Sequence, residues 1–289
     1  APEVVATARL ARADPGRRLP SIQTDCHALA VLIYMYLLYR HPLRGRKIHD
    51  QDAQRDEELS MGERALFVED LRDASNRIDA TSVRPSELPW ADTAVRPFTL
   101  TGPYLAPLFL RAFCDGLHNP SARPSAAEWE MALIRTVDLL QPCANSACEQ
   151  AWYVFDNTTS PRCPFCRTPF KGVLPVLNLY YRSHKEGSFR AENHRLMVFT
   201  GQSLFQWHVN RSVAPNEKLR PDQKQRVGYF VLHNERWYLV NEAMPDLYNA
   251  SSSASVPIGE KVELSEDLKL LLSREEAGRL MHVQLVGNR

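Results

Sequence analysis

Two close pairs of cysteines constrain this 289-residue chain more than any other feature: Cys143 and Cys148, then fourteen residues, then Cys163 and Cys166. A short loop between two cysteines bends the backbone so that both sulfurs face one point, and two such loops supply a tetrahedral set of soft ligands. The spacing is that of a zinc ribbon. Four thiolates leave no open position for water, so the expected ion is a structural Zn²⁺ rather than a catalytic one. The other two cysteines, Cys26 and Cys114, read as small buried residues. This usage suits a reducing compartment with a metal site better than a disulfide framework, and the expected location is the cytoplasm.

The ribbon, residues 143–170, lies between two stretches of different texture. Residues 1–142 read as helical, with apolar positions recurring at three and four in Leu105–Phe113 and in Ala126–Leu140. Ser125, with Glu128 three positions on, forms a capping box. The longest apolar run, Ala28–Tyr39, is well short of the ~20 residues needed to cross a bilayer and reads as a buried helix. The charged stretch His49–Ser60 and the Pro-punctuated stretch Arg84–Pro103 read as long surface loops.

Residues 171–289 carry short runs rich in Val, Leu, Tyr, Phe and Trp, at 173–181, 195–200, 227–233 and 236–241. The last two flank Asn234-Glu235 and predict a hairpin. A small-residue stretch, Asn249–Ser255, reads as a loose loop before further short strands, so the C-terminal third is expected to form a β-sandwich. The fold class is therefore α+β multidomain, and Trp207 and Trp237 are expected in its core.

Lys plus Arg number 35 against 34 for Asp plus Glu, a balance that gives no general attraction to nucleic acid or to an anionic membrane. The segment between the cysteine pairs is hardly basic either. The expected partners are proteins.

The helical part resembles the C-lobe of protein kinases in three pieces, which occur in that family's order. Ala1-Pro2-Glu3 resembles the motif closing the activation segment; Thr24–Tyr34, followed by Arg40-His41-Pro42-Leu43, resembles the large C-lobe helix; Asn119–Ser125 resembles the Arg-Pro segment before the last helix. The resemblance implies a buried ion pair between Glu3 and Arg123. It also implies that Asp25 caps its helix and braces a catalytic-loop backbone; a plain N-cap is the other reading of Asp25. An opening at Ala-Pro-Glu suggests a fragment of a longer kinase.

Phosphoryl transfer needs a glycine-rich loop, a strand lysine, a His-Arg-Asp loop and Asp-Phe-Gly, and the sequence contains none of them. Asp70–Asn76 is the nearest decoy for the catalytic loop, and it lacks the His-Arg and has its Asn one place late. The chain alone is expected not to phosphorylate.

The order of residues 63–77, then 102–133, then the four-cysteine ribbon and a β domain is similar to bacterial Ser/Thr kinases encoded with tellurite-resistance TerY proteins. That resemblance implies docking to a von Willebrand factor A protein of the TerY type, beside a metal-dependent protein phosphatase. If the partner's metal-ion-dependent adhesion site takes part, an acidic residue of this chain would complete a Mg²⁺ shell, and the loop residues Asp156 and Asp246 are the candidates. The β domain resembles a forkhead-associated (FHA) domain in Trp237–Asn241 and Val256–Leu264, which implies as the alternative that it binds phosphothreonine peptides. The residues at Trp207–Arg211 have the right types for that in the wrong arrangement.

Overall fold

The structure, a computed structural model, describes residues 1–47, 50–81, 83–182 and 188–287. It mixes helices with antiparallel sheets and divides into two compact units, Ala1–Thr136 and Val137–Arg289.

The first unit is helical: α1 (Pro2–Thr7), α2 (Ile22–Leu38), α3 (Ala53–Met61), α4 (Gly102–Leu110) and α5 (Ala126–Val137), whose last residue belongs to the second unit. Local chemistry sets these boundaries. At α2 the Ser21 side chain accepts the Thr24 N–H while Thr24 Oγ1 accepts the Ser21 N–H, so two orphan donors are satisfied together. At α5 Glu128 accepts the Ser125 N–H at 2.9 Å and Ser125 Oγ accepts the Glu128 N–H at 3.4 Å, the expected capping box. Pro107 inside α4 removes one backbone donor, and the helix continues into a wider turn, Arg111–Asp115, closed by Gly116 N–H onto Arg111 O.

The core of this unit is aromatic. Tyr34 of α2 meets Phe67, Phe109 and Phe113 edge-on, and Trp129 of α5 leans on Phe109. Full burial of each such ring contributes roughly 2–3 kcal/mol.

Three expectations for this region need correction. The charged stretch is not all loop: Ala53–Met61 is α3, started by Asp52, whose carboxylate accepts the Gln54 N–H. Its polar composition hides any apolar period. His49 lies outside the described residues. The stretch Arg84–Pro103 is not a surface loop either, because Ala91, Asp92, Thr93, Phe98 and Thr101 are buried. Finally, α2 is not a fully buried helix: Tyr34, Leu38 and Ala30 are inside, whereas Ile22, Leu32, Tyr36 and Tyr39 face solvent.

The second unit begins with β1 (Leu140–Pro142) paired antiparallel to β2 (Trp152–Val154), the strands that bracket the first cysteine pair. Next come β3 (Val173–Arg182), β4 (Phe189–Met197), β5 (Ser203–Phe205), the short helix α6 (Gln206–Val209), β6 (Arg226–His233) and β7 (Arg236–Asn241). The last strands are β8 (Tyr248–Asn249), β9 (Ala254–Ser255), β10 (Lys261–Glu263), β11 (Lys269–Leu271) and β12 (Arg279–Gly287). They form a six-stranded sheet ordered β4-β3-β12-β11-β8-β9 and a four-stranded sheet ordered β10-β7-β6-β5. One core spans both, with Leu177, Leu179, Met281 and Val283 from the first sheet and Leu204, Phe230 and Leu239 from the second.

β6 and β7 pair from His233↔Arg236 onward, so Asn234-Glu235 is a two-residue turn. Both residues have positive φ, 49° and 62°, the geometry whose twist matches flanking strands. Asn249–Ser255 is not a loose loop; it folds back as the β8–β9 hairpin. Trp237 is buried, and its indole N–H donates to Val173 O at 2.7 Å. Trp207 is not core: it is half-buried, stacked on Phe205 at 4.3 Å between centroids.

Candidate metal centre and buried charge clusters

The four ribbon cysteines converge, their sulfurs all within 4.8 Å of one another. Cys143 and Cys166 are 3.5 Å apart, Cys148 and Cys163 3.9 Å. A tetrahedron with metal–sulfur bonds of ~2.3 Å has edges of about 3.8 Å, so the set fits one metal ion. No two of the cysteines are bonded.

Backbone closure builds the two sulfur loops. In the first, Cys143 N–H bonds to Ala151 O, Cys148 N–H to Asn145 O, and Asn145 N–H points at Cys143 Sγ at 3.4 Å. In the second, Cys163 N–H bonds to Thr168 O and Arg167 N–H to Cys163 O, which places Arg167 at φ 65°. Hydrogen bonds from the hydroxyl and N–H of Thr168 pull the Cys166 thiol down to about 6, while burial pushes Cys143 up to about 12. Cys26 and Cys114 are part-buried rather than fully inside; burial and the Asp70 carboxylate push Cys114 up to about 12.

In the helical unit the structure joins Glu3 to Arg123 across 120 residues of sequence. Arg123 Nη1 and Nη2 each donate to one Glu3 oxygen at 2.8 Å, and its other donors go to backbone carbonyls of Gln23, Gly116 and Leu117. The guanidinium is buried and the carboxylate about a fifth exposed. Burial opposes ionisation of Glu3, but the bonds from Arg123 outweigh it and hold the carboxyl below its ordinary value.

Asp25 has neither expected capping role. Ser21 is the N-cap, and Asp25 sits exposed in the first turn of α2, where its charge suits the positive end of the helix. Asp156 is exposed in the loop after β2; Asp246 is half-buried in the turn before β8, 3.4 Å from the Arg274 N–H. The structure does not bring these two to the cysteines. The decoy stretch is architectural: Asp70 accepts the N–H groups of Arg72 and Asp73, and buried Asn76 bridges Leu43 O, Leu66 O and the Lys47 N–H. Gly45 lies so close that a Cβ there would stand 1.8 Å from Asn76 O.

Three buried clusters carry no sequence marker. Arg40 donates to Glu69 at 2.5 Å and to the Tyr34 hydroxyl, while Glu69 also accepts the Phe98 N–H. In the second unit Arg279 is bidentate to Glu192 at 2.6 Å and also bonds Trp207 O, and Arg211 lies 3.5 Å from the same glutamate with its guanidinium over Tyr181. Asp138 is held between His194 Nε2 at 2.5 Å and His208 Nε2 at 3.1 Å. His208 Nδ1 accepts the Phe205 N–H, so the proton of its neutral form lies on Nε2, facing the carboxylate. Burial disfavours charge on Asp138, yet the two imidazoles prevail and hold it at about 2. A 550 Å³ groove beside this cluster is lined by Trp152, Phe199, Phe205 and Trp207.

Among the described residues no helix is long and apolar enough to cross a membrane. No protein-family model matches the chain, and no curated protein matches it. Among solved structures, the yeast Pml1 splicing factor, described with its integration into the RES complex, aligns with 40% of this chain and 82% of its own at 12% identity. The TM-score is 0.26, too low for the likeness to carry any argument about fold or function.

Proposed function

We propose that this chain is a non-catalytic docking scaffold: the C-lobe part of a Ser/Thr kinase-like protein, stiffened by a structural Zn²⁺ ribbon and followed by an FHA-like sandwich. The observation that carries the reading is the Glu3–Arg123 pair, because it joins the two sequence motifs that the kinase resemblance pairs. The four-sulfur cluster supports zinc. Cys143, Cys148, Cys163 and Cys166 would fill all four positions of a tetrahedral ion, which leaves it a purely structural part.

The docked partner in this reading is a TerY-like von Willebrand factor A protein of a tellurite-resistance phosphorylation system, with a metal-dependent phosphatase beside it. Asp156, on an exposed loop, and Asp246 are the residues proposed to complete the partner's Mg²⁺ shell. Binding of the purified partner to immobilised chain, with and without Mg²⁺, tests this. Retention that needs Mg²⁺ and falls at least tenfold in Asp156→Ala or Asp246→Ala supports it; no retention sinks the scaffold reading.

One observation favours phosphothreonine binding as a second reading. A 360 Å³ pocket of the sandwich is lined by Arg182, Arg274, Ser273 and Tyr248, a donor set suited to a phosphate, although Glu275 also lines it. Calorimetry with matched phosphorylated and unphosphorylated peptides decides, and equal heats would end this reading.

A further inference from the structure

The 550 Å³ groove beside Asp138 lies in the second unit, and all of its lining residues fall between 137 and 208. Aromatic rings dominate it. Phe205 and Trp207 stack with centroids 4.3 Å apart, and Trp152 meets Phe199 edge-on at 5.1 Å. Trp152 is 45% exposed and Trp207 half-buried, so both indoles keep bare ring surface. Among the described residues neither of these two indole N–H groups finds an acceptor, whereas that of Trp237 donates to Val173 O. The Gln202 carboxamide is unpaired as well. Its Oε1 is buried without a donor, which leaves the amide nitrogen as the end available to a ligand. The side-chain acceptors at the groove are already spent: both Asp138 oxygens face imidazoles, and His208 Nδ1 takes the Phe205 N–H. None of the described lining residues is lysine or arginine, so an anionic ligand has no counter-charge here.

We propose that this groove binds a proline-rich segment of a partner protein in the polyproline II conformation. The groove offers apolar rings and hydrogen-bond donors, so its occupant must bring apolar surface and acceptors and ask for no acceptor in return. A helix fails that demand because its carbonyls are spent on its own hydrogen bonds. A strand brings N–H groups as well as carbonyls, and β5, the edge strand beside the groove, has three residues with the Phe205 N–H already taken. Proline has no N–H, and a polyproline II chain leaves every carbonyl unbonded. The indole N–H groups of Trp152 and Trp207 and the Gln202 amide then donate to peptide carbonyls, while pyrrolidine rings rest on the bare aromatic faces. Because the conformation is preformed, little ordering entropy opposes binding.

Isothermal titration calorimetry of the full chain with decaproline, up to about 1 mM, tests the proposal against a Gly-Ser peptide of equal length. The expected result is saturable binding of decaproline and none of the Gly-Ser peptide. Trp152→Ala should weaken it at least about tenfold. Trp207→Phe keeps a ring on Phe205 and removes only the donor, so a loss of about three- to tenfold is expected. Gln202→Glu exchanges a donor for a carboxylate and should weaken decaproline at least about tenfold, whereas a cationic ligand would gain from the same change. Unchanged far-ultraviolet circular dichroism and melting temperature serve as controls for folding. No saturable heat with decaproline overturns the proposal, as does equal binding of the Gly-Ser peptide. Indifference to both tryptophan substitutions places the binding elsewhere and overturns it too. Tighter binding of a trimethyllysine peptide than of decaproline gives the groove to a cation, and overturns it as well.

Discussion

The helical unit ties distant segments together by charge pairs, whereas the sheet unit adds a cluster of sulfurs to buried charge pairs of its own. In the first, Arg123 and Arg40 reach across loops to Glu3 and Glu69, and backbone carbonyls and the Tyr34 hydroxyl take further donors. In the second, the loops on either side of β2 are gathered by four sulfurs that supply no residue to the sandwich core. A charge anchor is complete in the apo chain and fails in proportion to what is removed. A sulfur anchor that holds an ion, as proposed for these four cysteines, would fail as a whole and locally when the ion is removed.

Removing the ion should therefore break the comparison most sharply. A strong chelator, or Cys163→Ser, is expected to abolish a one-to-one metal content and to melt residues 143–170, since such sites hold their ion by about 10 kcal/mol or more. Hydrogen exchange should show loss of protection there while β6, β7 and the helical unit stay protected. Cooperative unfolding of the whole sandwich on chelation would show that the ribbon and core are not separable.

The next largest effect belongs to the buried arginine. Arg123→Ala orphans three carbonyls and a carboxylate and should cost about 3–5 kcal/mol, read by urea denaturation. Glu3→Gln should cost less, about 1–2 kcal/mol, because that side chain is partly solvated. Equal losses would mean that the charge pair, and not the carbonyl contacts, dominates.

Asp138 gives the sheet unit its own charge anchor. Its folded value of about 2 lies below the ordinary 3.8, so the stabilisation is complete above about pH 4 and is lost as pH falls through about 2. At about 1.4 kcal/mol per unit this is worth roughly 2 kcal/mol. Asp138→Asn should lose that amount at neutral pH and flatten the acid limb of stability between pH 4 and 2, measured by tryptophan fluorescence. The smallest effect is Ser125→Ala, expected to cost about 1 kcal/mol by removing one side of the α5 cap.

What could be read in advance was local. The cysteine spacing, the Ser125–Glu128 cap and the Asn234-Glu235 turn depend on neighbours a few positions apart, and the sequence displays such neighbours directly. The Glu3–Arg123 contact spans 120 residues and was legible only because two family-like motifs flagged it. The Asp138–His194–His208 cluster spans 56 and 70 residues with ordinary spacing at every member, so no periodicity could announce it. α3 was hidden because a polar surface helix lacks an apolar stripe. α2 was misjudged for the opposite reason: composition reports that a helix is apolar all round, but not how many of its faces have neighbours.

Asn241 ends β7 and holds the following excursion shut with one amide: its Nδ2 donates to Met244 O and Val256 O, and its Oδ1 accepts the Met244 N–H. The fourteen residues between Asn241 and Val256 thus leave the four-stranded sheet, join the other sheet as β8 and β9, and return to a single stitched point, with Ser251, Ser252 and Ser253 exposed at the β8–β9 turn. Such a turn is a port for engineering. A peptide tag or a small folded domain spliced there would hang from a closed loop, and lengthening a closed loop adds only about 0.6 kcal/mol per doubling.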